Sequence, residues 1–255
     1  MYLGLKKGWA KRVSYKENNK GATCKEIREF LNNSLKESNA ILNPVGENVI
    51  DKLLSEILNN AEDHSIHNEW YVNGVSYKEI VDGEPIIELN LGILNLGFSI
   101  AEGLSKSKEK NVDTIKEINE WYIRHYALME KKGDICFTKD DLYTLYCLQE
   151  GISRLKYEDE SRGRGTMNFI RAFITLGSFG EKNPQYKSHL NIISGKTIVN
   201  CDNKRKPYRK ENTFFLSLNK DNDINLLPDK EYLKHTHQKF PGTFLEVKIY
   251  LNKTY

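Results

Sequence analysis

The 255-residue chain carries 38 Lys and Arg against 35 Asp and Glu, a formal charge of +3 that is too balanced to make a polyanion its default partner. With 39% hydrophobic, 11% aromatic and 29% charged residues it has the make-up of a folded soluble domain and not of a disordered chain. Glu88, Asn90 and Asn95 interrupt the longest apolar stretch, 85–100, so no bilayer span is expected; Met1 is followed by Tyr-Leu-Gly-Leu and then charge, so no secretory leader is expected either.

Residues 1–20 are basic and polar, with Trp9 and Val13 as their few apolar anchors. A helical pattern over 24–40 (Ile27, Phe30, Leu31, Leu35) completes an N-terminal helical extension, 1–43. Asn43-Pro44 then caps and opens a helix over 44–64. Its apolar residues Val49, Ile50, Leu53, Leu54, Ile57, Leu58 and Ala61 recur at spacings of one, three and four, which is one helix face. Strands are predicted at 69–78 and 85–95; in the second, Ile87, Leu89, Leu91 and Ile93 alternate toward a core and Asn95 continues the alternation. Helices follow from Ser99, over 112–131, over 138–150, and from Thr166 to Leu176. The remainder reads as strands at 189–194, 197–201, 213–218 and 243–251. Helices first and antiparallel strands last imply an α+β fold, a two-layer α/β sandwich.

The four cysteines, Cys24, Cys136, Cys147 and Cys201, lie far apart without metal-ligand spacing, which fits reduced thiols in a cytoplasm. On the 44–64 helix, at about 100° per residue, Glu56, Asn60 and His64 form a row along the border of the apolar face, with Asp63 beside them. An Asn amide oxygen is a neutral ligand for Mg²⁺, and a carboxylate one turn away can orient or deprotonate a water; a solvated helix border is the plainer reading of the same row. Asn95-Leu-Gly97-Phe-Ser99-Ile100 follows a strand and opens a helix, and Ser161-Arg162-Gly163-Arg164-Gly165-Thr166 precedes another. Glycines admit close backbone approach and helix N-termini present free N–H groups to phosphates. Phe240-Pro-Gly242-Thr243 leads into the last strand.

In this order the four segments resemble the N box and three glycine boxes of the GHKL ATPases, the superfamily of histidine kinases, type II topoisomerases, heat-shock chaperones and MutL. The likeness covers about 44–251, and its finer pattern resembles stand-alone bacterial ATP-binding proteins, often associated with regulatory or phage-defence gene pairs. The resemblance implies a Bergerat fold, a mixed and mostly antiparallel sheet with helices on one face, with ATP and Mg²⁺ held under a long helical lid at about 99–163. It implies that Asn60 coordinates Mg²⁺ and that Glu56 activates the attacking water. Asp63 and His64 would line the ribose and base side, and Gly97 would let the chain pass close to adenine. Arg162 and Arg164 would reach phosphate oxygens, Gly163, Gly165 and Thr166 would cradle the phosphates, and Thr243 would sit beside the base. The family's first box begins with an aspartate where this chain has Asn95, an amide that can accept or donate, and Ser99 replaces that box's second glycine.

The expectation is therefore a Mg-ATP-binding and ATP-hydrolysing cytoplasmic protein that acts on a protein partner in bacterial signalling or phage defence, with a homodimer open to it. The alternatives are a protein kinase, for which 1–43 holds no phosphoacceptor histidine, and a non-catalytic nucleotide-gated binding module. The cluster Lys204-Arg205-Lys206-Pro-Tyr208-Arg209-Lys210 reads as a charged hairpin tip before it reads as a nucleic-acid stripe, and His235-Thr-His237 reads as a solvated loop.

Overall fold

The structure, a computed structural model, describes residues 6–14, 20–36, 44–81, 83–107, 109, 111–152, 165–176 and 186–251. In chain order these form strand β1 (Lys6–Ser14), helices α1 (Lys20–Lys36) and α2 (Pro44–His64), strands β2 (Ser65–Val81) and β3 (Glu84–Gly97), and helices α3 (Ile100–Lys106), α4 (Val112–Lys132), α5 (Lys139–Cys147) and α6 (Gly165–Leu176). Strands β4 (His189–Cys201), β5 (Tyr208–Lys210), β6 (Thr213–Phe215) and β7 (Leu233–Leu251) complete them. Five strands make one sheet in the order β1-β2-β3-β7-β4, each pairing antiparallel, while β5 and β6 form a separate ribbon. The fold is α+β, a sheet with helices packed on it as a two-layer sandwich.

Period-two alternation decides which face is covered. Cross-strand partners fall into rows: Gly74–Leu91–Val247–Leu190, then Val72–Ile93–Leu245–Ile192. These apolar side chains are buried, joining Ile27, Leu31 and Leu35 of α1 and Ile50, Leu53, Leu54, Ile57 and Leu58 of α2 in a single core. Helix α1 lies over β2, where Phe30 comes so near Gly74 that a Cβ there would stand 3.2 Å from its ring, and Ser34 Oγ meets Ser76 Oγ at 2.8 Å. The alternate residues of the same strands carry polar pairs, Lys248 to Glu88 at 3.0 Å and Asn191 to Glu246 at 2.8 Å, beside an apolar row Tyr71–Leu94–Phe244–Ile193.

Several expected boundaries change. The N-terminal extension contains a strand as well as a helix: β1 pairs along its whole length with β2. Its local pattern, KKGWAKRVS, is too short of apolar residues to announce a strand, and lysines are what an edge strand tolerates. The helix expected over 24–40 spans Lys20–Lys36, and 37–43 lie outside the described residues. Strands 189–194 and 197–201 are one strand with irregular register around Gly195, and 213–218 is strand only to Phe215, in the ribbon and not in the main sheet.

Of the segment expected to form a lid, residues 100–106 and 112–152 are packed structure. Leu142, Leu145 and Tyr146 of α5 are fully buried, and α5 touches β4, where the Asp141 carboxylate accepts from Thr197 Oγ1 at 2.7 Å. Helix α4 and the segment before β7 close around an aromatic centre: Trp121 lies 5.4 Å from Tyr146 and 6.4 Å from Phe215, ring centre to ring centre. Gln149 clamps that segment in both directions, accepting from Leu216 N at 2.8 Å and donating to Leu216 O at 3.0 Å. Among the described residues no helix is long and apolar enough to cross a membrane.

Candidate functional site

Two neighbourhoods gather the residues singled out by sequence. The first lies where the sheet's apolar rows end. The next row is Trp70–Asn95–Thr243–Ser194, so a polar trio follows directly on the core. Ser194 Oγ meets Thr243 Oγ1 at 2.9 Å and accepts from the Ile100 backbone N–H at 2.8 Å, which anchors the start of α3 to the row. A bond between two hydroxyls uses one of their two protons, so the pair retains a proton to donate. Asn95 is only 2% exposed, and its Nδ2 is buried with no hydrogen-bond partner. Such an orphaned amide costs about 1–3 kcal/mol, which is why buried amides are almost always paired.

Two features hold this row at close quarters. Strand β7 passes β3 so tightly at Gly242 (φ 143°) that a Cβ there would lie 2.1 Å from the Asn95 carbonyl oxygen and 3.0 Å from Gly97 N. Only glycine fits. Ser99 caps α3 in a capping box: its Oγ accepts from Glu102 N at 3.2 Å, and the Glu102 carboxylate accepts from Ser99 N at 2.9 Å. The serine in place of a second box glycine therefore has a structural occupation of its own. Lys239, and then the Ser99 N–H of the box, hold Glu102 below the usual carboxylate range.

The second neighbourhood lies between α2 and α6, which pack along one another and both touch β7. The Glu56 carboxylate rests against the α-carbon of Gly165: a Cβ built there would stand 2.4 Å from Oε2. Burial pushes the Glu56 pKa up, and a hydrogen bond from the Asn168 side chain opposes that rise. Asn60, one turn further along α2, is partly buried, and Thr166 stands in the first turn of α6. Met167, Phe169 and Ile170 face the core while Asn168 is exposed, so its side chain is not there to fill space.

Asp63 and His64 occupy the last turn of α2, with side chains outside the described residues; Arg162, Gly163 and Arg164 lie outside them altogether. Ser194 and Asn168 were not anticipated. An isolated glycine inside a strand pattern, Ser194-Gly195, was the available signal for the first, whereas nothing local marks Asn168. Nor was the role of His235 anticipated: its Nδ1 lies 3.2 Å from the buried Asp141 carboxylate, which also accepts from Thr138 N at 2.8 Å. That cluster pins α5 to β4 and β7. A groove between α1 and α2, lined by Cys24, Ser55 and Asn59 and bridged by Arg28 to Asp51 at 2.7 Å, opens on the α1 side of α2.

No family model, curated protein or solved structure matches the chain.

Proposed function

We propose that the protein binds Mg-ATP, with the base at the Asn95–Thr243–Ser194 row and the phosphates toward α6, and hydrolyses it in the service of a protein partner. The observation that carries this reading is the buried, unpartnered Nδ2 of Asn95. An amide presents an N–H donor beside a carbonyl acceptor, and adenine presents the complementary pair, an amino group beside a ring nitrogen. Asn95 thus does with a neutral pair what the aspartate of the resembled family does with a charge, and the free hydroxyl proton of the Ser194–Thr243 pair is a second donor for the base.

The described residues also suit the metal. Mg²⁺ characteristically takes few protein oxygens and completes its shell with water and phosphate, and the partly buried side-chain amide of Asn60 offers one such oxygen. Asn60 would hold it, and the ion would supply charge neutralisation at the phosphates. Glu56, half-buried one turn away, takes the proton of the attacking water, and the N–H groups that open α6 receive phosphate oxygens. The proposal follows the GHKL resemblance of the four sequence segments in assigning these roles.

Thermal unfolding with and without Mg-ATP and Mg-GTP, in wild type and Asn60→Ala, tests the reading. Ligand at a hundred times its Kd adds about 2.7 kcal/mol, a rise of roughly 5–10 °C in Tm for a chain of this size. Mg-ATP is expected to raise Tm in wild type and not in Asn60→Ala, and Glu56→Ala is expected to keep the rise and lose phosphate release. If neither nucleotide moves Tm, the reading fails.

A further inference from the structure

We propose that Asn168 is the positioning residue for Glu56: from the first turns of α6 its side-chain amide fixes the carboxylate against the α-carbon of Gly165 and so aims it at the attacking water. The inference rests on the hydrolytic reading above and adds to it a residue that no glycine box contains.

Three observations on the two helices carry it. Gly165 has no side chain, and the Glu56 carboxylate fills the place where one would be. That contact fixes the carboxylate's position along α6 but not the direction of its lone pairs. Asn168, three residues further, supplies the missing directional contact, a hydrogen bond from its side chain to Glu56. Finally, Asn168 is exposed while Met167, Phe169 and Ile170 on either side are buried, so the helix needs none of it for packing. A group that gives a carboxylate a hydrogen bond favours its ionised form, which is the form able to accept a proton from water. Burial raises the Glu56 pKa, and the amide works against that rise, favouring the ionised form. The other ionisable groups flanking it on these helices are Lys52, one turn earlier on α2, and Arg171 on α6, whose guanidinium is stacked 3.9 Å over the Phe214 ring. Neither takes the place of the amide contact.

The test is a carboxyl-carbon NMR titration of Glu56 in the nucleotide-free chain, paired with the pH profile of Mg-ATP hydrolysis, in wild type, Asn168→Ala and Asn168→Gln. Alanine is a better helix former than asparagine at an exposed position, so the fold is kept. In Asn168→Ala the Glu56 midpoint is expected to move to higher pH. The acid limb of kcat should move with it while KM stays put, and Asn168→Gln should restore part of both. A merely structural asparagine would move neither. An unmoved Glu56 midpoint, or an active enzyme whose acid limb stays in place, overturns the positioning role and leaves the hydrolytic reading standing. A wild type that releases no phosphate at any pH overturns the hydrolytic reading, and the catalytic role of Asn168 with it.

Discussion

His125 shows how much one side chain can decide. It is 1% exposed, with Nδ1 against the Tyr146 hydroxyl and Nε2 2.9 Å from the Ile224 carbonyl oxygen. The carbonyl can only accept, so Nε2 carries the proton and Nδ1 receives one from tyrosine. Burial lowers its pKa to about 4. The unfolded chain takes up that proton near pH 6.5, so the folded state keeps its full stability above 6.5 and loses it as the pH falls toward 4. The loss amounts to about 3 kcal/mol, from the 1.36 kcal/mol that each unit represents. Urea unfolding of wild type and His125→Gln between pH 7 and 4.5 measures it, and the variant should lose distinctly less stability than wild type over that interval. Equal losses would mean that other groups govern the acid side. No sequence pattern pointed to His125, because its partners Tyr146 and Ile224 come from distant parts of the chain. Glu56, Asn60 and Asn95 were legible, since each is fixed by the period of its own helix or strand.

Among the elements, those with a local rule were the readable ones. Helix α2 begins at Pro44 and ends at His64, the span over which its apolar spacing runs. Helix α3 starts where Ser99 and Glu102 make their reciprocal bonds. Replacing Ser99 by Ala should therefore cost roughly 1 kcal/mol of stability, as lost N-caps do, in a denaturant melt. Nucleotide affinity should hardly change, since the hydroxyl serves the helix; a large loss of affinity with unchanged stability would give Ser99 to the ligand instead. Strand β1 and the β5–β6 ribbon were beyond this kind of reading. What makes Lys6–Ser14 a strand is a ladder offered by β2 some sixty residues later, and what makes Thr213–Phe215 a ribbon is the aromatic centre it leans on. Neither cause is present in the segment itself.

At the scale of the whole molecule the sheet and the α4–α5 lobe share one core, so the molecule should open as a unit. Cys201, at the end of β4, reports on that. It is 1% exposed, and burial, then the neighbouring Asp202 charge, pushes its thiol up to about 12. Alkylation of Cys201 at pH 8 is expected only through global unfolding, with a rate that follows stability across denaturant concentrations and slows when a nucleotide binds. Labelling that ignores added denaturant would reveal a local opening of β4. Fold class was legible in the sequence because alternation and helical period add up over many residues, whereas strand order was not, because it depends on which strands meet and not on how each is patterned.

The place of β7 between β3 and β4 has a consequence for synthesis. The β2–β3 hairpin can form early, but the neighbour that covers the other edge of β3 leaves the ribosome only after α6 and β4. Until then Ile87, Leu89, Leu91 and Ile93 sit on a strand with one open edge, a ready template for pairing with another nascent chain. Any truncation that removes residues 233–251 would make that passing exposure permanent, so a chain stopped before Leu233 should yield aggregates and not a partly active fragment.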